Sequence, residues 1–341
     1  MGTMLKPYLT QLNALPDSLT STAAGEMHRI LPGPTLIHLP GRFEQPLFFS
    51  VLLHGNEPTG LLAVQELLRK YAGRTLPRAL SIFVGNIEAA RHGLRRLNGQ
   101  PDYNRVWPGT EHPDSPEKQM AAEIVEIMKN RGIFASVDIH NNTGLNPHYA
   151  GINILNNRNL QLATMFGRLV VYFTRPKGVQ AAAFAPICPA VTLECGKPGQ
   201  RYGVERALEF LEACLHLSEI PNHPIAERDI DLFHTVAQIT LREDVSFSFQ
   251  DADSDLLLDT DLDHMNFTEI PAGTVFGTIN CDSKIPVIAR DEEGQDRTTE
   301  YFRIENRELI LNRAGMPSML TLDERVIRQD CLCYIMERIF L

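Results

Sequence analysis

Apolar residues in the first two thirds of the chain follow two alternating patterns. Short, nearly unbroken apolar runs occur at Thr35–Leu39, Leu47–Leu53, Leu80–Val84, Phe134–Ile139, Val170–Phe173 and Ala190–Leu193. Between them, apolar positions recur at helical spacing over Gly60–Tyr71, Glu117–Lys129, Asn159–Gly167 and Val204–Leu217. The runs predict strands buried on both faces, and the spaced pattern predicts amphipathic helices. Ser115, Pro116 and Glu117 add a helix start: a capping hydroxyl, a first-turn proline and then an acid. Alternation at these lengths predicts an α/β domain whose sheet is covered by helices on both faces. Such sheets carry their chemistry beyond the carboxyl ends of strands.

The pattern changes near Ile220. Residues 221–229, PNHPIAERD, are polar with two prolines and read as a linker. Beyond them, short alternating pieces (TVAQITL, VSFSFQ, GTVFGTIN, IPVIAR) predict a smaller β domain. The expected division is therefore 1–221 and 222–341. The acidic stretch Asp251–His264 lacks the glycine and closing glutamate that a calcium loop needs, so it reads as a solvated hairpin or loop.

Composition narrows the classes. A net charge of -10, from 32 basic and 42 acidic residues, argues against a general nucleic-acid binder. No run approaches the length of a membrane span, and the first residues fit neither a signal peptide nor a myristoylation site. No membrane partner is expected. Cys188, Cys195, Cys214, Cys281, Cys331 and Cys333 show no metal-binding spacing and have apolar neighbours, which predicts reduced thiols in a cytoplasmic protein. A homo-oligomer is left open.

Three strand ends bring groups that coordinate or titrate. HGNE supplies His54 and Glu57, SVDIHNNTG supplies Asp138 and His140, and VTLECGKPG supplies Glu194. On a parallel sheet these ends converge. Two imidazoles and one carboxylate with an open position make a catalytic zinc site, so His54, Glu57 and His140 are the candidate ligands. Asp138 shares a strand face with His140 and reads as its outer hydrogen-bond partner. Glu194 follows an apolar run; burial should raise its pKa and suit it to general base chemistry. The segment LRRLNGQPDYNR holds Arg95, Arg96, Asn104 and Arg105, a set suited to anchoring a carboxylate and polarising a carbonyl. Asn141, beside His140, and Arg175 are further candidate substrate contacts. Cys195 reads as buried filler, and no serine-nucleophile, Walker or dinucleotide motif is present.

With HGNE, DYNR, DIHNNTG and TLECGKPG in this order, the sequence resembles the succinylglutamate desuccinylase and aspartoacylase family, a branch of the zinc carboxypeptidase superfamily. The resemblance implies a zinc-carboxypeptidase-like fold, mixed and mostly parallel, with a smaller C-terminal β domain. It implies one zinc ion per chain on His54, Glu57 and His140, with Glu194 as the catalytic glutamate. Asn104 and Arg105 match the pair that holds a substrate carboxylate. Arg96 matches the carbonyl-polarising arginine, with Arg95 as runner-up, and Tyr301 matches a tyrosine from the C-terminal domain. The implied activity is zinc-dependent hydrolysis of the amide bond of a small N-acyl amino acid or related amide. A peptide-cleaving zinc carboxypeptidase and a non-catalytic metal-containing binding protein are the rival readings. Two departures stand out. The motif reads DYNR where DLNR or DMNR is usual, and Gly178–Ala190 contains no basic residue where relatives carry an arginine for a side-chain carboxylate.

Overall fold

A computed structural model describes residues 8–280 and 284–340. The N-terminal start, residues 1–7, and Cys281 lie outside the described residues. The chain forms two compact units. The first holds the described residues up to Asn141, His148–Tyr172 and Pro176–Asp231. The second holds Asn142–Pro147, Phe173–Arg175 and Leu232 onward. The polar segment 221–229 therefore stays with the first unit.

The first unit runs β1 (Thr10–Leu12), β2 (Thr35–Leu39), β3 (Gly41–Val51), α1 (Thr59–Lys70), β4 (Leu76–Val84), α2 (Ile87–Arg91) and α3 (Pro116–Asn130). It continues with β5 (Ala135–His140), β6 (Tyr149–Ile152), α4 (Asn157–Thr164), β7 (Leu169–Tyr172), α5 (Gln180–Phe184), β8 (Ala190–Glu194) and α6 (Arg201–His216). Its strands lie in the order β1-β2-β4-β3-β5-β8-β6-β7. The central four, β4-β3-β5-β8, are mutually parallel. On the flanks, β2 meets β4 and β6 meets β8 antiparallel. The apolar runs explain the centre. All of β5 and β8 and the second half of β3 are buried, as strands covered on both faces must be.

Helix α3 starts as its sequence predicts, with the Ser115 hydroxyl accepting from the Lys118 N–H at 3.2 Å. Its apolar stripe of Met120, Ala121, Ile124 and Met128 packs with Phe48, Trp107 and Phe184 into one core. Trp107 donates its indole N–H to the Tyr103 carbonyl at 2.9 Å, so the sole tryptophan packs while keeping its polar atom satisfied. Among the described residues, no helix is long and apolar enough to cross a membrane.

The second unit is β-rich. In it β9 (Asp231–Leu241) carries β13 (Val287–Arg290) on one side and β17 (Cys333–Ile339), then β16 (Met316–Ser318), on the other. A second sheet orders β10 (Phe247–Ser248), β11 (Leu256–Leu258), β12 (Val275–Ile279), β15 (Glu308–Leu311) and β14 (Phe302–Glu305). The acidic stretch Asp251–His264 is turn, short strand, turn and the start of a 3-10 helix at Leu262–Met265, and alternate apolar residues Leu256 and Leu258 anchor it in the core.

Candidate metal centre

Register fixes the site. Ser50 on β3 lies beside Asp138 on β5, Asp138 beside Thr192 on β8, and His140 beside Glu194. Residues in register on parallel neighbours face the same side of a sheet, so His140 and Glu194 rise together at the carboxyl edge. The chain leaves β3 through Leu52, whose φ of 56° is the left-handed region that a leucine rarely adopts. His54 follows, and a turn closed by the Glu57 N–H on the His54 carbonyl at 3.2 Å returns Glu57 to the same spot.

One carboxylate joins the two imidazoles. Glu57 Oε1 lies 2.8 Å from His54 Nδ1, and Glu57 Oε2 lies 2.8 Å from His140 Nδ1. Ligand atoms of the three residues all fall within 4.8 Å of one another, close enough to share one ion. Each ring turns its other nitrogen to an aspartate. His54 Nε2 is 2.9 Å from Asp102 Oδ1, and His140 Nε2 is 2.7 Å from Asp138 Oδ2. An imidazole backed by a carboxylate on one nitrogen and free to coordinate through the other is the arrangement metal-binding histidines use. The donor set fits a divalent metal of the zinc type.

Burial sharpens the electrostatics. Desolvation presses the His54 pKa down and Arg95 adds to this, but Asp102 and Glu57 outweigh both and raise it. For His140 desolvation again opposes charge, and Asp138 with Glu57 carries the pKa well above the ordinary imidazole value. Burial alone would raise the Glu57 carboxyl; the two imidazoles hold it below the usual carboxylate range instead. Asp102 is likewise lowered against its desolvation, by His54, Arg95 and Arg105. The cluster is a set of mutually stabilised buried charges.

The structure sorts the remaining candidates. Arg95, not Arg96, enters the cluster: its Nε and Nη2 donate to Asp102 Oδ2 at 3.1 and 2.9 Å, and Nη1 lies 3.6 Å from Glu57 Oε1. Arg96, the residue expected to polarise the carbonyl, donates to the Gln100 carbonyl at 2.8 Å. Asn141, a candidate substrate contact, hydrogen-bonds the backbone through its side chain. Oδ1 accepts the Thr59 N–H at 3.2 Å at the start of α1, and Nδ2 donates to the Gly196 carbonyl at 2.8 Å. Asn104 is occupied as well, accepting from the Gln180 N–H at 2.9 Å and donating to Asp138 Oδ2 at 2.8 Å. Arg105 is partly exposed, with Nη1 donating to the Asn104 carbonyl at 2.9 Å. Glu194 stands at the end of β8, buried.

Two candidates belong to the second unit. The Arg175 Nε donates to the Glu292 carbonyl at 2.8 Å, and its Nη2 lies 2.8 Å from where a Cβ on Gly294 would sit. Tyr301 is buried, with the Arg313 guanidinium 5.1 Å from its ring centre. Cys195 is fully buried, and that burial pushes its thiol well above the ordinary value, which suits filler and not a nucleophile. Asp102 was missed by the reading of the sequence. Its signal was available in DYNR, where an aspartate stands two residues before Asn104.

A family model described as the succinylglutamate desuccinylase/aspartoacylase catalytic domain matches residues 47–219. No curated protein sequence matches the chain. Among solved structures, a succinylglutamate desuccinylase/aspartoacylase from Rhodobacter sphaeroides aligns with TM-score 0.57 at 16% identity, over 89% of this chain and 88% of that one. Murine aminoacylase 3 aligns with TM-score 0.54 at 15% identity, over 87% and 96%. The succinylglutamate desuccinylase from Chromobacterium violaceum aligns with TM-score 0.50 at 22% identity, over 81% and 87%. At these identities the structural likeness establishes the fold.

Proposed function

Because the chain belongs to the succinylglutamate desuccinylase/aspartoacylase family, we propose that it hydrolyses the amide bond of a small N-acyl amino acid or related amide. One zinc ion per chain would be held by His54, Glu57 and His140. The observation that carries this reading is the closure of two Nδ1 atoms on the two oxygens of Glu57, with an aspartate behind each ring. Zinc bound there supplies Lewis-acid polarisation of a carbonyl and acidifies water at neutral pH.

The chain's own residues do the rest. Arg105 receives the free carboxylate of the substrate through its guanidinium fork. Arg95, fixed by Asp102 beside Glu57, donates toward the acyl oxygen as negative charge builds there. Glu194 takes the proton of the attacking water and returns it to the departing amine, so acid and amine leave without a covalent enzyme adduct. Its position beside His140 in the sheet register supports that role.

The acyl group is read as small and uncharged. Gly178–Ala190 carries no basic residue, and Gln180, Ala181 and Phe184 of α5 are buried. Lys177, just before it, pairs with Glu111 at 3.0 Å. A succinyl or aspartyl carboxylate there would lack a countercharge. The described cysteines are all buried free thiols, which fits a reducing, cytoplasmic setting.

The test is direct. Bound metal is measured in the purified protein, and N-acetyl, N-formyl and N-succinyl amino acids are screened for amine release alongside short peptides. Glu194→Gln should keep its zinc and lose roughly 10²-fold or more in kcat. A variant with full zinc and near wild-type turnover would remove Glu194 from the mechanism.

A further inference from the structure

We infer that the amino edge of the first unit's sheet carries a binding site for a free amino acid, with Arg158 taking its carboxylate and Glu219 its ammonium group. The inference goes beyond the metal-centre reading. The site lies at the edge of the sheet opposite His140 and Glu194 and shares no residue with the metal centre.

Two adjoining hollows lie at this edge. One, of about 190 Å³, is walled by Phe134, which precedes β5, by Pro189, which precedes β8, and by residues 218–220, which follow α6. The other, of about 170 Å³, reaches Asn156 and Arg158 at the start of α4. Arg158, Ile187, Cys188 and Pro189 line both, so the two form one groove. Each hollow is smaller than the roughly 300 Å³ at which drug-sized ligand pockets begin, so the occupant is a small molecule.

Apolar walls and two opposite charges define that molecule. Ile133, Phe134, Pro189 and Ile220 give the first hollow an apolar lining suited to an aliphatic side chain, and Ile187 beside them stays exposed. Arg158 and Glu219 line the same hollow, yet among the described residues neither side chain has a hydrogen bond or an ion pair. Opposite charges that line one hollow without meeting leave a gap between them. A ligand with both a carboxylate and an ammonium group fills it, each group against its opposite. A simple anion would face Glu219, and a simple amine would face Arg158, each at a cost.

Two further features favour a carboxylate on the Arg158 side. Arg158 stands in the first turn of α4, where a helix favours negative charge. Against Phe134 lies Arg78, 1% exposed, with its guanidinium 3.5 Å from the ring centre. Arg78 donates to the Gln45 and Leu217 carbonyls at 2.8 and 2.7 Å, and its Nε has no partner. Among the described residues no carboxylate pairs with it. A buried guanidinium without a counter-anion leaves a positive field at this edge, which a ligand carboxylate answers.

The experiment uses the full chain and isothermal titration calorimetry with L-leucine and with its two halves, 4-methylpentanoate and 3-methylbutylamine. Wild type should bind leucine more tightly than either half. Arg158→Gln and Glu219→Gln should each weaken leucine binding about 10–100-fold, the effect of losing one hydrogen-bonded charge. The halves sort the roles: Arg158→Gln should weaken the carboxylate alone, and Glu219→Gln the amine alone. Both side chains are exposed, so both variants should fold, as circular dichroism checks. If one does not, the other variant with its matching half decides. A wild-type protein that binds no leucine overturns the inference. Leucine affinity unchanged in either variant overturns it as well, because both charges are required. 4-Methylpentanoate binding as tightly as leucine would make this a simple anion site and overturns the amino-acid assignment. None of these outcomes touches the metal centre, whose failure shows as a wild-type protein that binds no zinc.

Discussion

Asp102 faces His54 with one oxygen and Arg95 with the other, so a single carboxylate orients both a proposed metal ligand and the arginine proposed to polarise the substrate. An imidazole that is to coordinate through Nδ1 must keep its proton on Nε2, and an acceptor at 2.9 Å from Nε2 holds it there. In Asp102→Asn the amide can still accept from His54, but the charge that anchors Arg95 is gone. Zinc affinity should fall about 10–100-fold, and kcat should fall beyond what zinc saturation restores, because Arg95 is loosened as well. Full recovery of kcat at saturating zinc would show that the aspartate serves the metal alone. Asp138, by contrast, could be read from the sequence, since it stands two residues from His140 on one strand face. Asp102 sits far from His54 in the chain, in an irregular segment where no periodicity says which side chains turn inward. The same irregularity hides the choice between Arg95 and Arg96.

The turn after β3 shows how an element delivers its residues. Gly55 passes so close to α2 that a Cβ there would lie 2.1 Å from the Ala90 backbone nitrogen, and the Gly55 N–H donates to the Arg95 carbonyl at 3.2 Å. Gly55→Ala must therefore push α2 and the Arg95 segment away. The expected cost is about 1–3 kcal/mol, as for other overpacked sites, read as a lower denaturation midpoint with weaker zinc binding. An alanine variant as stable as wild type would mean that α2 yields freely. Elements of this kind separate what the sequence discloses from what it does not. The long apolar runs that became β2, β3, β4, β5 and β8, and the periodic stretches that became α1, α3 and α6, declare themselves because burial imposes their pattern. β6, only Tyr-Ala-Gly-Ile, is too short and its middle residues too small to form such a run, and it is held by pairing with β8. α5 has five residues, too few to show a helical period. β1 is a three-residue strand whose identity comes from pairing with β2. Tertiary pairing made these pieces, and local pattern could not announce them.

The first unit holds a buried cluster of charged groups, His54, Glu57, Asp102 and His140, and this makes its stability depend on pH and metal in opposite senses. In the metal-free protein, His54 and His140 titrate above the ordinary imidazole value of 6.5, so the stability they lend is complete below about that pH. It is lost as pH rises through their elevated folded values. Glu57 and Asp102 are lowered from 4.5 and 3.8, so their share is complete above those values and is lost as pH falls through the folded ones. The cluster of the metal-free protein is therefore most stabilising between about pH 4.5 and 6.5. Zinc needs both Nδ1 atoms without their protons, so protons and metal compete and zinc binds more tightly as pH rises. A ligand that binds only the folded state adds stability that grows with its affinity. The gap in Tm between zinc-loaded and chelator-treated protein should thus widen steadily from about pH 5.5 to about pH 8. Most of the widening should come from a falling Tm of the metal-free form. Parallel Tm curves across that range would mean that the two imidazoles are not the groups the metal displaces protons from.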